Sequence, residues 1–596
     1  MLPHKLIEQS LQRAASAVLP DADVSAVLVR PCPDPKFGDY QTNALMSLAK
    51  ARRMNPRQLA TDVLARLEVT DLCEKVEIAG AGFLNFRLKD SALANALQAA
   101  ARGEHLFFDP AAAARTIVLD FSSPNVAKPM HVGHIRSTIL GESLSRTLRL
   151  LGHRVITDNH IGDWGTQFGM LLVGWKTLLE RAALEREPLS EMERIYKAIS
   201  SQCDPDKPGY DAARHEAARR ELVKLQQGDA ENLAIWREMI QLSQAQFDAI
   251  YGRLGVQFDH TYGESFYHTR LGQTVDDLMS RGIARESEGA KCVFSDGTRP
   301  RKEDPFLIQR DGEWEPNPQL IQKRDGGFNY ATTDLATIAY RLETWHPQEI
   351  VYITDGRQQL HFQQLFAVFQ RWHPEMAGKL KLAHVWFGSI LGEDGRPLKT
   401  RSGENVKLSE LLDEAEERAF RLVSEKNSDL PEAERREIAR VVGIGAVKYA
   451  DLSPNRQSDY VFSWDKMLAL NGNTAPYLQY AYARIQSIFR KGDIQSPASG
   501  MPPGALTLSA PEELALAKHL LNFGLTLEAV ADEYRPNFLC NYLYDLAGQF
   551  TRFYENCPVL KSEGSTRDSR LVLCDLTAKV LKRGLGALGI EILEQM

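Results

Sequence analysis

The stretch Thr116-Ile-Val-Leu-Asp-Phe-Ser-Ser-Pro-Asn-Val-Ala-Lys-Pro-Met-His-Val-Gly-His134 decides the fold. Its first six residues, Thr116 to Phe121, form an apolar run of strand length. A turn rich in Ser, Pro and Asn follows. After His131-Val-Gly-His134, apolar residues recur at helical spacing at Ile135, Ile139, Leu140, Leu144, Leu148 and Leu151. Gly152 closes that helix, and Arg154 to Thr157 reads as a second strand. Strand, loop, helix, strand is the unit of a parallel doubly wound sheet, so the expected fold is a Rossmann-like α/β domain.

Working outward, residues from about 175 to 265 are charged and helical in pattern, broken at Ser201 to Gly209, and read as a helical insertion. Strand signals return at Lys291 to Phe294, Gly327 to Ala331, Glu349 to Thr354 and His384 to Phe387, with a helix predicted over Asp334 to Leu342. Residues 1–110 mix helical stretches at Thr42 to Leu48 and Leu59 to Leu67 with strand signals at Ser25 to Val29 and Gly82 to Leu88, a small α+β domain. Asp109-Pro110 and the alanines after it suggest a boundary. The α/β domain is therefore expected over 111–470, and the almost wholly helical pattern of 471–596 predicts an all-α bundle, interrupted by the Pro- and Gly-rich Ser496 to Gly504.

Composition sets the limits. With 596 residues, 43% hydrophobic and 25% charged, the chain is an ordinary globular one and too long for a single small binding module. No run approaches the roughly 18 unbroken apolar residues of a membrane span, and charges interrupt the N-terminus where a signal peptide needs an apolar stretch. A cytoplasmic protein with no membrane partner is expected. The 7 cysteines are scattered without a C-x-x-C, which speaks against a disulfide framework and a Cys-rich zinc site. A net charge of −7 leaves polyanion binding open, because local basic patches decide it. The run Lys50, Arg52, Arg53, Arg57 reads first as a solvated face and second as an RNA contact.

A helix starting just after a strand offers free backbone N–H groups and the positive end of its dipole at the carboxyl edge of the sheet, where nucleotide phosphates bind. His131 and His134 stand at that place. Imidazoles there can donate hydrogen bonds to an α-phosphate as its charge rearranges, and Gly133 keeps side-chain bulk away. The plainer alternative is two surface histidines. No Ser/His/Asp or Cys/His arrangement suggests a nucleophile.

The whole segment Asp120 to His134 resembles the first signature of class I aminoacyl-tRNA synthetases in its arginyl form. The likeness continues, in the family's order, through Asn159-His-Ile-Gly-Asp-Trp-Gly-Thr-Gln-Phe-Gly169, Tyr330-Ala-Thr-Thr-Asp-Leu-Ala336, Gly388 to Gly403 and Tyr477-Leu-Gln-Tyr-Ala-Tyr-Ala-Arg484. Phe37-Gly-Asp-Tyr-Gln-Thr-Asn43 and Ala79-Gly-Ala-Gly-Phe-Leu-Asn85 resemble its extra N-terminal domain. The resemblance implies activation of arginine with ATP to arginyl-adenylate and pyrophosphate, with Mg²⁺ and without zinc. Transfer to the 2′-hydroxyl of the terminal adenosine of the tRNA for arginine follows. It also implies a monomer, and tRNA bound before activation.

Residue by residue, the resemblance assigns Lys128, His131, Gly133 and His134 to ATP. Lys399-Thr-Arg-Ser-Gly403 stands where the family's second signature is expected. Lys399 and Arg401 can supply charge there or be solvated loop cations, and Lys128 takes over the missing lysine's part. Asp120, Ser122, Asn125, Tyr330, Asp334 and Gln358 fall on substrate-contacting positions. Asp334 is assigned toward the guanidinium, because a planar fork of donors pairs with a carboxylate; its alternative is a helix N-cap before Leu335. Tyr480 and Arg484 are candidate tRNA contacts in the anticodon-binding bundle. Tyr477 and Tyr482, with Tyr554 and Met596, stand between RNA contact and core, and Trp164 reads as core packing. Two other classes remain at this point: a cysteine-type ligase sharing the H-x-G-H turn, and a non-catalytic tRNA-binding relative.

Overall fold

The computed structural model describes residues 2–399, 406–494 and 506–596. It divides into two compact units, Ala113–Trp464 and Met1–Ala112 with Asp465–Met596.

The Ala113–Trp464 unit is built on a four-stranded parallel sheet in the spatial order Lys381–His384, Glu349–Tyr352, Thr116–Asp120, Arg154–Asp158. The two central strands each feed a neighbour on opposite sides, so the order reverses between Thr116–Asp120 and Glu349–Tyr352. Ligands bind outside the carboxyl ends of the strands at such a reversal. Register places Asp120 level with both Asp158 and Tyr352, and Tyr352 level with His384, in one row at that edge. Val118, Ile156 and Ile350 share a core with helices Tyr330–Trp345 and Gln359–Trp372. By the two-residue period Asp120, Asp158 and Tyr352 turn to the same face. Helix Val132–Leu150 packs close to Phe121 at Gly141, where a Cβ would stand 2.1 Å from Phe121 Cγ.

Helices Gln167–Leu178, Arg181–Arg186, Pro188–Cys203, Ala212–Gln226 and Ala230–Leu254 form the insertion. Three expectations are corrected. Gly327 to Ala331 is no strand: the strand is Gln319–Gln322, and the Asn329 side chain accepts the Tyr330 N–H, so Tyr330 already begins a helix. The fourth sheet strand is Lys381–His384, ending where a strand was expected to begin. Ser25 to Val29 forms turns rather than a ladder, although Val27 and Val29 are fully buried.

In the other unit, strands Arg30–Pro31, Tyr40–Thr42, Phe83–Leu88 and Cys73–Ala79 make an antiparallel sheet. Among the described residues, five helices between Ala475 and Ala587 make the bundle. The expected Ser496 to Gly504 interruption lies outside the described residues. Pro511–Glu533 is long and apolar enough, by length and composition, to cross a membrane. It is two helices, Pro511–Leu520 and Phe523–Glu533, whose Leu516, Leu520, Phe523, Leu527 and Val530 are fully buried in the bundle.

Candidate active site

The loop from strand Thr116–Asp120 to helix Val132–Leu150 is held against ordinary backbone preference. Ser122, Ser123 and Ala127 have φ of 73°, 48° and 61°, a left-handed region that costs side-chain-bearing residues energy and persists only where surroundings impose it. The surroundings are visible. Ser122 N–H donates to Ser137 Oγ at 2.9 Å, Ser123 N–H to Asn159 Oδ1 at 3.0 Å and Ala127 N–H to Ser243 Oγ at 3.0 Å. Ser122 Oγ is occupied inside the protein, hydrogen-bonded to Tyr251 Oη at 2.8 Å and accepting from Thr138 Oγ1 at 2.9 Å. Gly162 lets the chain approach, because a Cβ there would lie 2.3 Å from Asn125 Oδ1.

At the helix start the two histidines fix each other. His131 Nδ1 accepts the Gly133 N–H at 3.0 Å, and His134 Nδ1 accepts the His131 N–H at 3.1 Å. Each Nδ1 is therefore the acceptor nitrogen, and each Nε2 is left to carry the proton. Burial lowers the His134 pKa to about 3, and burial with the nearby Lys128 charge lowers that of His131. Both rings are neutral near pH 7 and offer Nε2–H donors. Gly133 serves this arrangement directly, since a Cβ would stand 2.8 Å from His131 Cε1.

These rings open on a cleft of about 550 Å³ also lined by Asn125, Lys128, Glu193, Tyr196, Lys399 and Lys407. Lys128 Nζ sits 4.8 Å from the Tyr196 ring centroid. Lys399 is exposed, and Arg401 lies outside the described residues. Glu193, Tyr196 and Lys407 escaped the sequence reading. The first two lie on insertion helix Pro188–Cys203, and a charged amphipathic helix carries no local mark of what it will face.

The acidic candidates separate. Asp120 is buried, and its Oδ2 accepts from the fully buried Arg341 at 2.6 Å while Oδ1 accepts from Ser123 Oγ at 3.2 Å. Arg341 also donates to Asp158 at 2.9 Å, and its guanidinium lies 5.5 Å from the Tyr352 ring centroid. Asp120 thus already faces a guanidinium, an internal one. Asp334 lies inside helix Tyr330–Trp345, not at its N-cap, which is Asn329. Its Oδ2 accepts from His361 Nε2 at 2.6 Å, and the His361 ring meets the edge or face of Tyr330 at 4.7 Å. Tyr330, at 59% exposure, and Gln358 are open to solvent. Sequence reasoning also missed Glu264, whose carboxyl is pushed above its ordinary range by burial and by the charges of Asp163 and Asp334, with His160 opposing. Trp164 donates to His268 Nδ1 at 3.0 Å and packs on Trp236.

In the bundle, Tyr480 is 47% exposed, and Arg484, four residues on along helix Ala475–Lys491, lies 4.5 Å from the Tyr554 ring centroid. Tyr482 belongs to the core, buried and donating to Glu594 at 3.0 Å.

Residues 97–464 match the family described as tRNA synthetases class I (R), catalytic domain. Residues 478–596 match the DALR anticodon binding domain, and 4–88 the arginyl tRNA synthetase N terminal domain. The chain is 45% identical to an arginine–tRNA ligase of Chromobacterium violaceum, covering 100% of both chains, and 46% identical to one of Salmonella agona, covering 99% of both. Among solved structures it resembles the arginyl-tRNA synthetases of Thermus thermophilus (TM-score 0.82, 25% identity, 100% of both chains) and Plasmodium falciparum (TM-score 0.80, 29% identity, 100% of this chain and 99% of that one).

Proposed function

The chain belongs to the class I arginyl-tRNA synthetases and is an arginine–tRNA ligase, and on that premise we propose how its residues divide the work. The ligase joins arginine to ATP as arginyl-adenylate, releasing pyrophosphate, and passes the arginine to its tRNA. His131 and His134 donate through Nε2–H to the α-phosphate as negative charge shifts toward the leaving pyrophosphate, and Lys128 neutralises the phosphates. The observation that carries this reading is the pair of fixed tautomers at a helix start beside a lysine-lined cleft.

Asp334 receives the arginine guanidinium, with Tyr330 and Gln358 beside it, and Glu264 offers a second anion whose raised pKa a guanidinium would relieve. Asn125 contacts the substrate, and Lys399 and Arg401 add loop charge. Asp120 and Ser122 support it from within, Asp120 through Arg341 and Ser122 through Tyr251. Mg²⁺, when bound, screens the phosphate charge. Among the described residues Glu193 is the one carboxylate lining the cleft, which suits an ion that keeps most of its waters and rides on the nucleotide phosphates. Tyr480 and Arg484 contact tRNA, with 1–110 and 471–596 as its docking domains and 111–470 as the catalytic domain. The enzyme works as a cytoplasmic monomer away from membranes and activates arginine only with tRNA bound.

The test is arginine-dependent ATP–pyrophosphate exchange with and without total tRNA, with lysine, cysteine and citrulline as controls. Exchange is expected with arginine and tRNA together. A folded protein that binds tRNA without any exchange would replace this reading with a non-catalytic relative.

A further inference from the structure

Adenylate formation needs positive charge at a stated place. The arginine carboxylate oxygen bonds to the α-phosphorus, the bond from that phosphorus to the oxygen bridging to the β-phosphate breaks, and pyrophosphate leaves with the electron pair. The two histidines, held neutral, supply hydrogen bonds but no net charge. The cations must come from elsewhere in the cleft. Lys197 is committed to Glu193 at 2.9 Å, and Lys399, which also lines the cleft, is exposed to solvent.

Lys407 is placed differently. Val132 N–H donates to Val406 O at 2.9 Å and Leu408 N–H donates to Met130 O at 2.9 Å, so His131 and Lys407 stand opposite each other in an antiparallel bridge. The backbone of the histidine turn therefore fixes where Lys407 begins. Its side chain lines the same cleft as Lys128, His131 and His134. Nζ reaches Ser190 Oγ at 3.5 Å, the outer limit of a hydrogen bond, and among the described residues no carboxylate lies within ion-pair distance of it. Lys407 also precedes helix Leu408–Lys426, whose first N–H groups add to the positive potential there.

Resting on the proposed reading of this cleft as the ATP-phosphate site, we propose that Lys407 is a further catalytic residue, a second ammonium that contacts the ATP phosphates alongside Lys128 and stabilises the departing pyrophosphate. Because the bridge uses only backbone atoms, replacing the side chain leaves it intact. Lys407→Met lowers kcat of the exchange reaction by about 100-fold, the scale of losing one charge-stabilising contact, while KM for arginine, tRNA binding and melting temperature stay as in the wild type. Lys407→Arg recovers about tenfold of that loss. Exchange by folded Lys407→Met at the wild-type rate overturns the proposal.

Labelling of the unaltered enzyme decides the matter without a variant. Lysines are acetylated with sulfo-N-hydroxysuccinimidyl acetate with and without MgATP, and the sites are read by mass spectrometry. Slower labelling of both Lys128 and Lys407, with Lys426 unchanged, is the expected result. Protection of Lys128 alone overturns the role of Lys407 and spares the cleft reading. Protection of neither removes both.

Discussion

At His134 one ring nitrogen has a structural duty and the other is left for chemistry. Nδ1 takes the His131 N–H, so the ring is neutral and Nε2 must carry the proton. An amide can imitate either nitrogen. Asn in place of His134 puts an oxygen near Nδ1 and nothing near Nε2; Gln does the reverse. His134→Asn is expected to keep the fold and lose about 100-fold or more in exchange kcat, with KM for arginine unchanged, and His134→Gln to retain more activity. Equal losses in both would detach catalysis from the Nε2 donor. The same ring contributes to acid sensitivity. Its folded pKa, about 3, lies below the ordinary 6.5, so as pH falls from about 6.5 the unfolded chain takes up a proton that the native ring refuses, and stability drops through that window. The fall in Tm between about pH 7 and pH 5 is therefore expected to be smaller in His134→Gln than in wild type, read by thermal melts in matched buffers. For Asp334, removing the charge but not the shape by Asp334→Asn should raise KM for arginine by the equivalent of roughly 2–5 kcal/mol, the cost of unpairing a desolvated guanidinium, with the melting curve unchanged. An unaltered arginine dependence would put Asp334 outside the pocket. His134 was visible in the sequence because turn chemistry and a helix start are local, and Asp334 through the family resemblance of Tyr330 to Ala336. Lys407 and Glu264 were not, since nothing within several residues of either says that it will face the phosphates or Asp334.

The element scale explains which parts of the fold could be read. Thr116–Asp120 reads as a continuous apolar run because it is buried on both faces, Val132–Leu150 shows its apolar residues at helical spacing, and their order alone implies a parallel sheet. Ser25 to Val29 has the same apolar pattern, yet its buried valines fill the core from turns, so hydrophobic alternation there signals burial without strand pairing. Cys73–Ala79 went unread for the opposite reason: Glu74, Lys75 and Glu77 face solvent on an edge strand, and little apolar signal remains. Between elements, close packing depends on single glycines. Gly169 in helix Gln167–Leu178 lies against helix Ala212–Gln226, and a Cβ would stand 2.2 Å from the backbone oxygen of Ala218. Backbone cannot swing aside as a side chain can. Gly169→Ala should therefore destabilise by roughly 1–3 kcal/mol as the two helices are forced apart, despite alanine's better helix propensity. A thermal melt settles it, because a rise in Tm would mean that propensity outweighs the clash.

At the scale of the molecule, the first and last segments of the chain share one unit, and sequence order cannot announce this. Lys5 pairs with Glu528 at 2.9 Å and Lys518 with Asp39 at 2.9 Å, partners separated by hundreds of residues. Such part-exposed ion pairs contribute only about 0–1 kcal/mol each. The stronger connection is apolar and backbone. Gly524 donates its N–H to Phe107 O at 3.1 Å, at a spot so close that a Cβ would lie 2.4 Å from that oxygen. Phe108 meets the fully buried Phe523 edge-on at 5.9 Å, and helix Asp90–Ala101 packs against Pro511–Leu520 and Gly564–Ala587. Uncovering a large apolar side chain costs about 1.5–3 kcal/mol, so a few such residues exceed both ion pairs together. The fragment 465–596 made without 1–112 should accordingly bind a hydrophobic dye and melt broadly at lower temperature, and co-expression with 1–112 should restore a cooperative transition and abolish the dye signal. A lone fragment melting as sharply and as high as its counterpart in the full chain would show that the bundle's own five helices suffice. The N-terminal segment would then be a guest on the bundle rather than part of its core.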